Sequence, residues 1–166
     1  PIALLGLVLL ILQIALGGWV SSNYAALACP DFPTCHGQWL PPADLGQGFN
    51  VMQSVGPNYL GGLMTSEARI AIQVAHRVGA VVVTLALLLL ALRLWRPNRG
   101  LALALLAALV CQVTLGILNV VLVLPLWVAT AHNAFAAITL LVMVTVNYAA
   151  RQSASATIRQ PSPAAA

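Results

Sequence analysis

Between residues 68 and 95 the chain is almost unbroken apolar, and two ionisable side chains, His76 and Arg77, stand inside that run. Ile70, Ala71, Ile72, Val74 and Ala75 precede them, and residues 78–92 follow with only Gly79 and Thr84 as interruptions. A hydrocarbon core of about 30 Å is crossed by roughly 20 apolar residues in a helix, so the run is long enough to span a bilayer. Within lipid each segment must satisfy its own backbone polar groups, and for a single run that means a helix. An imidazole and a guanidinium at such a depth are costly and call for partners.

Three further apolar runs, at 2–20, 100–121 and 127–148, repeat the pattern. The 166 residues are 61% hydrophobic and 6% charged, against about a quarter charged in soluble domains. The fold class that follows is an all-α integral membrane protein: a four-transmembrane-helix bundle over residues 1–150, with a long loop at 21–66 between the first two spans. Residues 151–166, rich in Ser, Ala and Pro, read as a disordered tail. Arginine supplies all the basic residues and there is no lysine. Arg93, Arg96 and Arg99 crowd the turn between the second and third spans, and Arg151 follows the fourth. These are topology signals and not a nucleic-acid surface. The positive-inside rule puts both groups in the cytoplasm, and the 21–66 loop and the Pro125 turn on the outer, periplasmic side. Trp19 and Tyr24 suit the membrane–water interface. The chain begins at Pro1 inside an apolar run, which reads as a piece of something longer. It is not a signal peptide, because no basic region precedes the run. Gly17-Gly18 offers another helix a close approach.

The outer loop is punctuated by Pro30, Pro33, Pro41, Pro42, Pro57 and by Gly46, Gly48, Gly56, Gly61 and Gly62, with a short helix expected at 49–55. A loop of this length is unusual unless it is functional. Cys29 and Cys35 flank five residues in an oxidising compartment, and the simplest reading is a disulfide that staples the loop. A redox-active pair exchanging electrons with a partner is the alternative. His36 follows directly; an exposed loop histidine needs no special role.

His76 lies about 12 Å below the outer end of its run, and His132 about 8 Å below the outer end of the last, at roughly 1.5 Å per residue. Both runs descend from the outer face, so the imidazoles face each other at nearly one level. That arrangement suits two axial ligands of a haem iron between helices. Ala75, Gly79, Ala80, Ala129, Ala131, Ala134 and Ala136 would leave room for a flat macrocycle. The plainer alternative is that each histidine makes an interhelical hydrogen bond. Zinc or copper lacks a third ligand, since Cys111 is mid-helix and reads as packed. Arg77 fits a haem propionate, which arginine binds bidentately; snorkelling to the interface is the other reading. Gln73, one turn before His76 on the same face, either bonds near the cofactor or joins helices.

These pieces resemble the haem A synthase family. The resemblance is carried by Gly17-Gly18-Trp19-Val20-Ser21-Ser22, by Cys29-Pro30-Asp31-Phe32-Pro33-Thr34-Cys35-His36-Gly37-Gln38-Trp39, by His76-Arg77 and by His132-Asn133. Family members are eight-helix membrane enzymes, built of two similar halves, that oxidise a methyl group of haem O to the formyl group of haem A. The chain is similar to the C-terminal half. The resemblance implies a bacterial inner-membrane location, with His76 and His132 as ligands of haem b. It implies haem O as substrate, handled by the absent N-terminal half, and an electron acceptor or haem O synthase as partner alongside membrane lipid. The first half carries a glutamate three residues before its helix-two histidine; here Gln73 stands at that place, which implies a cofactor-holding half and leaves the catalytic residues unassigned. Two other classes share the features: a bis-histidine cytochrome b-type electron carrier, and a membrane thiol-disulfide or quinone oxidoreductase. A non-catalytic scaffold with packing histidines is a third.

Overall fold

A computed structural model describes residues 1–52 and 63–159, with side chains as far as residue 152. The described residues form α1 (Ile2–Ser22), α2 (Leu45–Gly48), α3 (Ser66–Leu94), α4 (Arg99–Val121) and α5 (Leu126–Arg159), and no strand. α1, α3, α4 and α5 are each long and apolar enough to cross a membrane. The expected spans are all present, with ends shifted by a few residues. Capping decides those ends. The Thr65 side chain accepts from Ala68 N and starts α3 earlier than expected, and the Asn98 side chain accepts from Leu101 N at the head of α4. α4 ends in a tight turn where Val123 and Leu124 take φ values of 59° and 58°. Leu124 N donates to Asn119 O at 2.8 Å across that turn, the closure of a Schellman-type cap.

Two expectations change. The short loop helix is α2, at Leu45–Gly48 and not at 49–55; the Asp44 side chain caps it by accepting from Gln47 N. Residues 49–52 follow as a turn, and 53–55 lie outside the described residues. The last helix does not stop near 148 but runs to Arg159, so 151–159 is helical where a disordered tail was expected. Alanine, arginine and glutamine are good helix formers and carry the last turn onward. Residues 160–166 lie outside the described residues.

The four long helices form an up-down-up-down bundle in which α1 touches α3 and α5, and α4 touches α3 and α5. α3 and α5 stand diagonally, with no close backbone approach. At the end carrying Arg93, Arg96 and Arg99, the centre is filled by Leu10, Val83, Leu87, Leu90, Leu105, Leu109, Met143 and Val146, drawn from all four helices. Asn147 Nδ2 donates to Ala3 O at 2.9 Å and ties α5 to α1 there. Towards the other end the inward stripes turn polar. On α1, Gly6 and Leu10 are followed by Gln13 and Gly17; on α4, Leu105 and Leu109 by Gln112, Gly116 and Asn119. Lipid tails are as apolar as leucine, so small residues and hydrogen bonds carry helix contacts in a membrane.

The loop after α1 folds back on the head of α3. Ala68, Ile70, Ala71, Ile72 and Gln73 are all buried, a run of burial that one helix face cannot produce. α2 closes one side, held by Trp19 Nε1 donating to Gly48 O at 2.9 Å and by Asp44 N donating to Glu67 O at 3.0 Å. Trp19, expected at the interface, thus has a protein partner. Cys29 and Cys35 pack with Ile70 and Val74 on another side.

Candidate functional site

The site is built from two helix pairs. In the first, α1 lies against α3 where Gly17 and Gly79 remove side chains. A Cβ on Gly17 would sit 3.3 Å from His76 Cε1, and one on Gly79 would sit 2.2 Å from Gln13 Oε1. Gly18, expected to share the close approach, has nothing within 4 Å. Gln13 Nε2 stands 3.1 Å from His76 Nδ1 and donates to His76 O at 3.0 Å. In the second pair, Gly116 of α4 underlies His132 of α5, with a Cβ 3.1 Å from Cε1. Gln112 Nε2 stands 3.3 Å from His132 Nε2. His76 and His132 are half-buried and stand on diagonal helices.

Apart from arginine nitrogens, four buried polar atoms at this polar end of α3, α4 and α5 have no hydrogen-bond partner among the described residues: Gln73 Oε1, Gln112 Oε1, Asn119 Oδ1 and His132 Nδ1. Gln73 is 5% exposed. Native interiors pair some nine in ten such atoms or more, so these atoms stand out in the polar layer.

Arg77 points to the loop. Its NH1 donates to Thr34 O at 2.7 Å, and its NH2 donates to Cys29 O at 3.0 Å and Asp31 O at 2.9 Å. The guanidinium also lies 5.7 Å from the Phe32 ring centroid, within cation–π range. The sequence left Arg77 between a haem propionate and a snorkel to the interface; its hydrogen-bond partners in the structure are three loop carbonyls, while Nε is buried without a partner. Cys29 and Cys35 are joined by a disulfide, with Cα atoms 4.6 Å apart, and are 0% and 3% exposed. The Asp31 carboxylate closes the same loop, accepting from Thr34 Oγ1, His36 N and Gly37 N. These bonds, that from Thr34 foremost, lower its pKa from 3.8 to about 2. The His36 ring meets Ala28 O at 3.0 Å, a local tie. Free Cys111 is half-buried on α4. Ala131 and Ala134 line an open groove of about 640 Å³ with Leu126, Trp127 and Thr130. Gly79 receives the Gln13 amide, not open space for a macrocycle.

Residues 1–144 match the COX15-CtaA family, described as cytochrome oxidase assembly protein. The chain belongs to that family. Among curated relatives, a heme A synthase of Shewanella oneidensis is 45% identical over 161 residues, covering 96% of this chain and 49% of its own length. A heme A synthase of Beijerinckia indica is 35% identical over 143 residues, covering 81% of this chain and 37% of its own. The chain spans about half the length of the first and less of the second. No solved structure matches it. The family match covers every motif quoted above, from Gly17 to Asn133. Sequence reasoning missed the part played by Gln13 and Gln112. The signal that finds them is their shared spacing, a glutamine with a glycine four residues later on each helix that packs against a histidine.

Proposed function

We propose that this chain is the haem-holding half of a haem A synthase, with His76 and His132 as the axial ligands of a haem b iron. The observation that carries this is the histidine pair on diagonal helices at the one level where the bundle's centre turns from leucine to polar side chains. The donor set fits the group. A haem iron asks for two axial nitrogens, and among the described residues no cluster of three or more His, Cys, Asp or Glu side chains offers a different metal site. With Nε2 of His132 beside Gln112, its unpartnered Nδ1 is the ring nitrogen left for the iron, and Gln73 Oε1 and Gln112 Oε1 would supply polar contacts beside it. Bound there, haem supplies a one-electron iron couple. The chain's own part is to hold the two imidazoles, exclude water with the apolar spans, and cover the loop end. Arg77 contributes through the loop it fastens, and its Nε–H is left for a propionate. The disulfide is a staple in this reading, since both sulfur-bearing residues are buried beyond the reach of a partner thiol.

The larger reaction, oxidation of a methyl group of haem O to the formyl group of haem A, belongs to the longer protein. Gln73 cannot act as a carboxylate base; in this reading the substrate is handled by the part of the longer relatives that this chain does not span. Haem b held by His76 and His132 would supply the one-electron couple for an acceptor, and a haem O synthase would supply the substrate. The stapled loop faces the periplasm and the arginine cluster the cytoplasm of a bacterial inner membrane.

The absorption spectrum of the purified chain, with His76→Ala and His132→Ala beside it, tests the ligand pair. A low-spin haem signal in the parent, lost in both variants, is expected. A parent with no Soret band, or a variant with an unchanged spectrum, rules the pair out.

A further inference from the structure

We propose that Gln13 and Gln112 are matched positioning residues, each holding one of the two histidines in a cradle that the chain contains twice. The proposal rests on the haem ligation argued above and extends it to two residues outside the ligand set.

The duplication is geometric. α1 presents Gln13 and Gly17 to His76; α4 presents Gln112 and Gly116 to His132. In each cradle the glycine lies under the same ring carbon, with a Cβ 3.3 Å from His76 Cε1 or 3.1 Å from His132 Cε1. In each, the glutamine amide one turn away reaches a ring nitrogen, at 3.1 Å or 3.3 Å. The helix pairs α1–α3 and α4–α5 occupy opposite sides of the bundle, so the two cradles face each other across its centre.

The chemistry explains the choice of glutamine. An imidazole with one nitrogen held is fixed in ring orientation, and the partner tunes the basicity of the other nitrogen. A side-chain amide carries both a donor and an acceptor, so it can serve either tautomer. A leucine at 13 or 112 would fill the stripe equally well and hold neither ring. Gln13 is the more firmly placed. Its Nε2 also donates to His76 O, a second tie between the same two residues. Any side chain at residue 79 would run into its Oε1. Gln112 has no second anchor, its Oε1 is unpartnered, and it contacts Nε2 where Gln13 contacts Nδ1. The cradles therefore match in register and differ in grip, and Gln13 carries the larger effect.

Gln13→Met and Gln112→Met keep side-chain length and remove the amide. The purified chain and both variants are compared by haem content, low-spin electron paramagnetic resonance and haem dissociation rate, with thermal midpoint as the structural control. Outer partners of metal-bound histidine change affinity by about 10–100-fold. The expected result is a haem-binding Gln13→Met chain with altered g values and roughly ten-fold faster haem loss, and a smaller change for Gln112→Met. If the parent is a low-spin haem protein and both variants reproduce its g values and dissociation rate, with only the thermal midpoint lowered, the glutamines are packing residues and the proposal fails alone. A parent without a Soret band overturns the ligation and this proposal together.

Discussion

Arg77 is one residue from a candidate iron ligand, yet its guanidinium is spent on three carbonyls of a disulfide loop. A planar fork can meet several acceptors at fixed angles; an ammonium cannot reproduce that geometry. Arg77→Lys is expected to loosen the loop by about 1–3 kcal/mol, the range for buried groups left without their bonds, and limited proteolysis between residues 29 and 38 should quicken. Asp31 acts on the same loop from above. Its carboxyl sits at about 2, below the ordinary 3.8, because three donors prefer the charged form. With the folded value depressed, the contribution is complete above about pH 4 and fades as pH falls through about 2. A carboxyl titration followed by nuclear magnetic resonance should show that low midpoint. Asp31→Asn should remove the acid sensitivity of the loop; a loop equally acid-sensitive without Asp31 would contradict the assignment.

α3 is two things in one helix. Its first turns, Ala68 to Gln73, are enclosed by α2 and the stapled loop, and from Val78 onward exposed residues recur along the helix. His76 and Arg77 sit at the border. The upper part of the apolar run is therefore wrapped in protein just above His76. Gly48 shows how tight the wrapping is: a Cβ there would stand 2.7 Å from Ala68 O, a backbone atom that cannot step aside. Gly48→Ala is expected to cost about 1–3 kcal/mol, as overpacking does, read as a lower thermal midpoint. Removing the staple by Cys29→Ser with Cys35→Ser should cost about 2 kcal/mol for so short a loop, with any low-spin haem spectrum retained.

At the scale of the whole molecule, the diagonal placement of α3 and α5 matters most. Adjacent helices would press the two histidines into direct contact; diagonal helices leave the bundle's axis between them. The orientation in the membrane is a separate question, and the arginines bear on it. In a Cys111→Ser background, Met52→Cys should react with an impermeant maleimide on intact cells, and Arg96→Cys only after lysis. The reverse pattern would turn the loop to the cytoplasm.

Spans, turns and the histidine pair were legible in the chain because hydropathy over some twenty residues and a charged group within it are local signals. The Cys29 and Cys35 pairing was legible for the same reason, being six residues apart. The partner of Arg77 was not, because Thr34 stands 43 residues away and only the folding of the loop onto α3 brings it there. The reach of Gln13 was hidden likewise: a glutamine in an apolar helix announces a need for a partner, and 63 residues separate it from His76. The sequence by itself determined that this chain is a membrane bundle with two imidazoles inside its apolar spans. The tertiary structure decided what holds each of them, since hydrogen bonds between helices depend on which faces meet, and that depends on all four helices together.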